Sequence, residues 1–353
     1  MTKSPPTHKT VALFNNKGGV SKTTTCFNLG WMLAERGHTV VMMDADPQCN
    51  LTGMVMDLTQ GDDLADFYRK NPGRNIKDAL EPAFKSRPRP LKAMDCVEVE
   101  GRERLFLMPG HVGLAEDEVS LGIAQQLSES VQALKNIPGS FGHLISLTAN
   151  RYKADYVLLD LSPGLGSINQ NLVTTANHVI IPASPDVFSV MAIDSLARVI
   201  PQWVNWARRA AELEALSSAD YPFPDPNLTF LGVVIQRYRL KNGKPAKAFE
   251  TYFNELDAAI VDTLVPALRK SDIMLPDEKY VAAQMEGGYR IASISDFHSL
   301  IAVSQQKRKP VYSLTREDVK RGGRLWENTL PSIQAFRETF AHMAERVEKL
   351  TGP

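Results

Sequence analysis

Short apolar runs punctuate the chain at intervals that suit buried strands. Val11–Phe14 is the first, closed by Asn15-Asn16-Lys17-Gly18-Gly19. A helical spacing follows from about Lys22 to Arg36 and stops at Gly37, a residue that suits a helix end. His38–Met43 is a second strand candidate, closed by Asp44-Ala45-Asp46-Pro47. Strand, glycine-rich turn, helix and strand in this order make a βαβ unit, which implies a parallel sheet with a right-handed crossover. Further runs at Leu105–Met108, Tyr156–Leu161, His178–Pro182, Leu228–Ile235 and Ile260–Val265 alternate with helical stretches. The alternation predicts one α/β core, doubly wound, its mostly parallel sheet flanked by helices. Between about Met54 and Arg104 the periodicity is weak and charged or Pro/Gly-rich pieces are frequent, which reads as an elaboration on that core. Near the C-terminus Ile333, Phe336, Phe340, Met343, Val347 and Leu350 recur three and four apart, the single apolar stripe of a long helix. Its polar face mixes both signs of charge, so packing on the sheet is expected rather than a basic helix lying on a membrane.

Composition narrows the class. At 43% hydrophobic and 23% charged the 353-residue chain is neither disordered nor low-complexity. Forty basic and forty acidic residues cancel, so any binding of DNA or anionic lipid must come from a local patch. Cys26, Cys49 and Cys96 are too few and too scattered for a disulfide framework or a thiolate metal site. The N-terminus lacks a hydrophobic signal core, and no run approaches the roughly 18 apolar residues of a membrane span. A soluble, cytoplasmic protein is expected.

The densest chemistry lies in Lys17-Gly18-Gly19-Val20-Ser21-Lys22-Thr23-Thr24. A triphosphate needs backbone N–H groups converging on its oxygens; glycines let the chain curl, and the following helix points its N-terminus at the anion. Lys22 supplies a mobile charge for the phosphates, and the Thr23 hydroxyl is placed to ligate Mg²⁺. Asn16 and Ser21 stand where the usual phosphate-loop pattern has glycines, and a second lysine, Lys17, precedes Lys22 by five residues. After the next strand come Asp44 and Asp46, two carboxylates at the edge of a parallel sheet where ligands bind. One can hold metal-bound water and the other can position the attacking water. A third run, Tyr156–Asp160, ends an apolar strand in an aspartate, a pattern that delivers a carboxylate to Mg²⁺.

Together these segments resemble the ParA/MinD family of P-loop ATPases, whose phosphate loop has the core x-K-G-G-x-x-K-[ST]. The resemblance runs on through Val179–Pro182 and Leu231–Arg237 to Lys309-Pro310-Val311-Tyr312. It implies a short N-terminal lead (1–10) and one P-loop domain (11–353) with extra residues near 54–104, 205–227 and 270–305. It further implies that ATP and Mg²⁺ bind, that Gly18 to Thr24 cradle the phosphates, and that Thr23, Asp44 and Asp160 serve the metal. Lys17 would reach across a nucleotide-sandwiched homodimer, Asp46 would govern hydrolysis, and the base would lie by Gln236 and Pro310. Ser162 and Gly164 depart from the family's second switch.

The cargo stays open. A ParA-like partition ATPase would bind DNA without sequence preference, associate with the nucleoid and hydrolyse ATP slowly until a ParB-like partner stimulates it. Arg237, Arg239, Lys241, Lys244 and Lys247, a run without an acid, form the candidate DNA patch. Arg269-Lys270, Lys307-Arg308-Lys309 and Lys320-Arg321 are further candidates. The alternatives are a positioning or signalling ATPase for a non-DNA cargo and a MinD-like membrane-cycling ATPase, though no integral membrane association is expected. An iron–sulfur carrier would need cysteine ligands at the dimer seam, which the spacing does not offer. The chain opens directly on the phosphate-loop strand, so a preceding helix-turn-helix is not expected.

Overall fold

Eight strands form one sheet in the order β10 (Arg290–Ser295), β7 (Thr229–Tyr238), β6 (His178–Ala183), β1 (Lys9–Leu13), β5 (Tyr156–Asp160), β2 (Val40–Asp44), β4 (Leu105–Met108) and β3 (Val97–Glu98), parallel throughout except for the β3–β4 edge pair. The computed structural model describes residues 8–352 apart from 59–60, 128–131, 242–243, 246, 286–287 and 321. The first half runs β1 (Lys9–Leu13), α1 (Lys22–Glu35), β2 (Val40–Asp44), α2 (Asn50–Met56), α3 (Gly61–Lys70) and α4 (Ile76–Phe84). It continues through β3 (Val97–Glu98), β4 (Leu105–Met108), α5 (Leu114–Leu127), α6 (Ile137–Tyr152) and β5 (Tyr156–Asp160). Next come α7 (Ser167–Thr175), β6 (His178–Ala183), the long α8 (Val187–Glu212), α9 (Glu214–Ser217) and β7 (Thr229–Tyr238). A two-stranded hairpin, β8 (Leu240–Lys241) with β9 (Lys244–Pro245), leads into α10 (Lys247–Ala258) and α11 (Val265–Lys270). The chain closes with α12 (Asp277–Ala282), β10 (Arg290–Ser295), α13 (Leu300–Lys307), α14 (Arg316–Val319) and α15 (Gly323–Thr351).

Both faces of the sheet are covered, which is why β2 and β5 are apolar without alternation until their final aspartates. Val41 and Met43 pack into the layer of α4 to α8 with α10 and α11. Val40 and Met42, pointing the other way, meet α1, α2, α12, α13 and α15. The apolar stripe of α15 is buried there from Ile333 to Leu350, as its spacing predicts.

Four expectations are corrected. Ile260–Val265 is no strand: Ala259–Leu264 is wound as a π-helix between α10 and α11. Its β-branched residues favour a strand locally, but buried Phe253, Leu256, Ile260, Leu264 and Leu268 recur at helical spacing and join the core beside α8. The stretch 270–305 supplies β10, the outer strand paired with β7, so part of it belongs to the sheet. And α8 is long and apolar enough to cross a membrane by length and composition alone. Its Ile193, Leu196, Ile200 and Val204 are instead buried in the core. Lys9 and Thr10, read as part of the lead, already pair with β5.

Candidate active site

The loop from Phe14 to Ser21 joins β1 to α1 at the carboxyl edge of the sheet. Gly19 has a φ of 72°, a left-handed value open to glycine. Ser21 adopts φ 56° where the usual pattern has glycine, a conformation costing on the order of 1–2 kcal/mol for a residue with a Cβ. The first turn of α1 has no acidic residue and no side-chain cap, which leaves its N–H groups for an anion. Asn15 fixes the loop to the sheet: its amide donates to the Pro182 carbonyl at 2.7 Å and its oxygen accepts the Lys17 N–H at 2.9 Å. The Lys22 ammonium turns into the curl and donates to the carbonyls of Asn15 (3.1 Å) and Lys17 (3.2 Å). Burial lowers its pKa, and Asp160 and Asp46 pull it back up.

The carboxylates divide into different roles. Asp44 and Asp160 are neighbours in register on β2 and β5, and both are 0% exposed. One Asp44 oxygen accepts the N–H (2.7 Å) and hydroxyl (2.6 Å) of Thr52, and the other accepts the Asp46 N–H at 3.3 Å. Burial pushes its carboxyl up to about 7 against those bonds. Thr52 in turn accepts from the Gly110 N–H at 2.9 Å. Asp44, expected near the metal, is held by Thr52 in this structure and so links β2 to the loop after β4. Neither Asp160 oxygen has a hydrogen bond of ordinary geometry, the Thr23 hydroxyl being the neutral donor beside it. Burial first, then Asp44, drive its pKa well above the carboxylate range, with Thr23 and Lys22 opposing. An unsatisfied buried carboxylate beside a threonine hydroxyl and a lysine is a donor set that fits Mg²⁺ with phosphate. Among the described residues no cluster of three His, Cys, Asp or Glu side chains stands ready for a metal, so phosphate oxygens and water would complete such a site. Asp46, further along, lines the open cleft.

That cleft holds about 740 Å³ and is walled by Gly18–Thr24, Asp46, Gln48, Asn50 and, from α13, Gln305 and Gln306. A smaller recess of about 220 Å³ shares Ser21 and Thr24 with it and is closed by Gln236, Arg237, Asp296 and Phe297. Gln236, expected beside the base, is held by the phosphate loop in this structure. It is 1% exposed, and its amide donates to the Val20 carbonyl (2.7 Å) and the Thr25 hydroxyl (2.9 Å). Pro310 is buried and lines neither cavity. Arg237, read as part of a DNA patch, sits at φ 65° with its guanidinium on the Gly19 carbonyl. Arg239 and Lys247 are exposed, while the side chains of Lys241 and Lys244 lie outside the described residues. Of the further basic runs, Arg269 pairs with Asp277, Arg308 with Glu100 and Lys309 with Asp318. Lys270, Lys307 and Lys320 are exposed, and Arg321 lies outside the described residues.

Lys17 is bound within its own chain. Its ammonium reaches both oxygens of Asp186 at 2.6 Å and the Ser189 hydroxyl at 3.0 Å. Asp186 also caps α8 by accepting the Ser189 N–H at 2.9 Å. The sequence reading missed Asp186, although an aspartate at a strand-to-helix junction is a recognisable cap. Asp296 and Phe297 were missed for another reason: they follow β10, which was not recognised as a strand. The loop after β5 is tied back to the phosphate loop, Gly164 N–H to the Asn16 carbonyl at 2.9 Å, and Asn169 holds the carbonyls of Ser162 and Gly164. All three cysteines are free and buried.

A family profile described as an AAA domain matches residues 8–210, more than half of the chain. The chromosome partitioning protein ParA of Caulobacter vibrioides is 27% identical over 263 residues, 73% of this chain and 80% of that one. The crystal structure of protein DIP2308 from Corynebacterium diphtheriae superposes with a TM-score of 0.65 at 20% identity, covering 98% and 99% of the two chains. The structure of pNOB8 ParA bound to nonspecific DNA superposes at 0.54 with 16% identity, over 97% and 98%.

Proposed function

The chain belongs to the ParA/MinD family of P-loop ATPases, and from that membership we propose a Mg²⁺-dependent ATP hydrolase that closes into a dimer around two ATP molecules. In that state it holds DNA without sequence preference, and a partner protein stimulates hydrolysis and so releases it. The observation that carries the reading is Asp160, buried beside Lys22 and the Thr23 hydroxyl with no hydrogen bond of ordinary geometry at either oxygen, at the end of the strand beside the phosphate loop. Lys22 and the N–H groups of the α1 N-terminus hold the phosphates, and Thr23 with Asp160 would hold the cation. Bound Mg²⁺ would neutralise charge that builds on the β- and γ-phosphate oxygens. Asp46 faces the cleft and orients the attacking water. Asp44 keeps its neighbour in place through Thr52 and Gly110. Lys17 exchanges Asp186 for the partner copy's phosphates.

The DNA surface is Arg239 and Lys247 with the hairpin that carries Lys241 and Lys244, a concentration of charge on a chain of zero net charge. The similar fold of a ParA bound to nonspecific DNA supports this reading. The MinD-like alternative is less favoured because the apolar stripe of α15 is taken up by the core. The protein would then work in the cytoplasm, on the nucleoid while ATP is bound.

A mobility shift on random duplex DNA, with and without ATP, tests the proposal on wild type and on Arg239→Glu with Lys247→Glu. ATP-dependent retention that the double variant loses supports it. A wild type that hydrolyses ATP yet retains no duplex moves the function to a non-DNA cargo. Sizing chromatography of Asp46→Ala should give a dimer trapped by ATP, and a monomer at saturating ATP removes the sandwich.

A further inference from the structure

At the edge of the sheet opposite the phosphate loop lies a second cavity, of about 610 Å³, a size within the range of small-molecule sites. β1 enters the sheet there and runs for 5 residues toward the phosphate loop, so about 17 Å of strand separates the two sites. The walls are His8 and Thr10 at the start of β1, one face of α6, the end of α7 and the segment 222–227. That segment closes the extra residues near 205–227, none of which lines the phosphate cleft.

The wall is rigid. Pro222, Pro224 and Pro226 restrict the backbone of the segment. Beside them the Tyr221 hydroxyl accepts the Leu91 N–H at 2.9 Å, and Phe223 packs edge-on against Trp206 at 5.5 Å. Two features then mark the cavity as a place for a ligand. His8 is 6% exposed, yet its Nδ1 has no hydrogen-bond partner among the described residues. Burial lowers the pKa of that ring, which favours the neutral form with one donor and one acceptor nitrogen. Gly142 lies inside α6, where glycine weakens a helix, although a Cβ there would find only ordinary contacts with Thr175 at 3.8 Å and Pro224 at 3.9 Å. Gly139 differs, because a Cβ there would strike the Tyr221 carbonyl. Packing therefore requires Gly139, whereas Gly142 only keeps the cavity open.

The lining restricts what can enter. It holds no lysine or arginine among the described residues, and the neighbouring Lys9 ammonium lies elsewhere, over the Tyr156 ring at 5.3 Å. Asp225 is exposed on the wall, so a phosphate or carboxylate would meet repulsion without a countercharge. No three His, Cys, Asp or Glu side chains come together for a metal among the described residues. His143 offers a flat surface, its ring lying against Tyr221 at 4.9 Å and 35°. Asn150, Asn177 and Asn227 bring three carboxamides, and Asn177 is fixed by accepting the Thr10 N–H at 2.8 Å. A carboxamide sets a donor beside an acceptor, the pairing that suits the N6 and N7 edge of adenine.

We propose that this cavity binds an uncharged purine, as free base or nucleoside, against the His143 ring and within reach of the asparagine amides. The site stands independently of the ATPase reading. Isothermal titration of adenine, adenosine and AMP into the full chain, with and without saturating ADP, tests it. Adenine or adenosine should bind wild type with a dissociation constant below about 1 mM, and the tighter of the two names the form taken. With ADP present, AMP should bind at least about tenfold more weakly than that ligand. Gly142→Leu puts a side chain into the cavity and should weaken binding at least about tenfold, while the melting temperature holds or rises. Asn150→Ala with Asn227→Ala, both exposed, should weaken binding by a similar factor of about ten. Saturating ADP should leave the affinity of the uncharged purine unchanged. No binding at millimolar concentration, equal affinity in wild type and either variant, or displacement by ADP overturns the proposal. AMP binding as tightly as adenosine overturns the restriction to uncharged ligands.

Discussion

Replacing Gln236 by alanine separates two accounts of that residue. Its position at the end of β7 suggests a base reader, but its amide is buried and bonded to Val20 and Thr25. Removing it takes away its bonds to Val20 and Thr25, leaves the Val20 carbonyl short of a partner while Thr25 keeps the Ser21 carbonyl, and opens a small cavity. The combined cost is about 2–4 kcal/mol. At about 2.1 cal/mol/K per residue, a chain of 353 residues loses about 0.7 kcal/mol per degree, so the melting temperature should fall by about 3–5 °C. Because the amide anchors a carbonyl of the phosphate loop, affinity for ATP and for GTP should weaken together. Calorimetry and equilibrium titration with both nucleotides measure this. An unchanged melting temperature with lost discrimination between ATP and GTP would refute the structural account and restore Gln236 as a base reader.

Three further outcomes are expected. Asp186→Asn keeps a good helix cap while removing the ion pair to Lys17. The ATP concentration needed for dimerisation on sizing columns should drop at nearly constant melting temperature, and an unchanged onset counts against an in-chain restraint on Lys17. Gly110→Ala would bring a Cβ to 2.7 Å from the Asp44 carbonyl and 3.2 Å from Cys49 Sγ. The variant should lose about 1–3 kcal/mol and much of its turnover, and wild-type stability would show that this loop yields freely. Burial, with Lys9 nearby, pushes the His178 imidazole down from 6.5 to about 4. Between those values the unfolded chain binds a proton that the fold refuses, so stability falls as pH drops from about 6.5 to about 4, by up to about 3 kcal/mol. His178→Gln should flatten that limb in denaturant titrations, and an unaltered slope assigns it elsewhere.

Much of the core is legible because its signals are local. Leu105–Met108 is a strand with the limits its apolar run suggests, and α1 begins at Lys22 where the glycine turn ends. Asp160 is readable because four buried residues precede it on β5. What the sequence conceals depends on distant partners. Asp44 and Asp160 look alike in the sequence, and only the fold shows Thr52 bonded to the former. Lys17 gives no local sign that Asp186, 169 residues on, will hold it. The strand β10 hides because Arg-Ile-Ala-Ser-Ile-Ser alternates weakly and its pairing with β7 is broken by register shifts. The run Ile260–Val265 misleads because β-branched residues favour strands, whereas burial at helical spacing decides the outcome.

The place of β1 in the sheet also bears on how the protein is made. The strand nearest the N-terminus lies at the centre, between β5 and β6, and Thr10 bonds to Asn177, 167 residues later. At ribosomal speeds of about 5–20 residues per second, the emerging Val-Ala-Leu-Phe segment waits roughly 10–30 s before its second neighbour is synthesised. During that interval an apolar strand with two open edges is exposed to other nascent chains. Slow translation, or a shortage of holding chaperones, should therefore lower the soluble yield more than any surface substitution does. Moving the chain ends to the tip of an outer loop by circular permutation should shorten the wait.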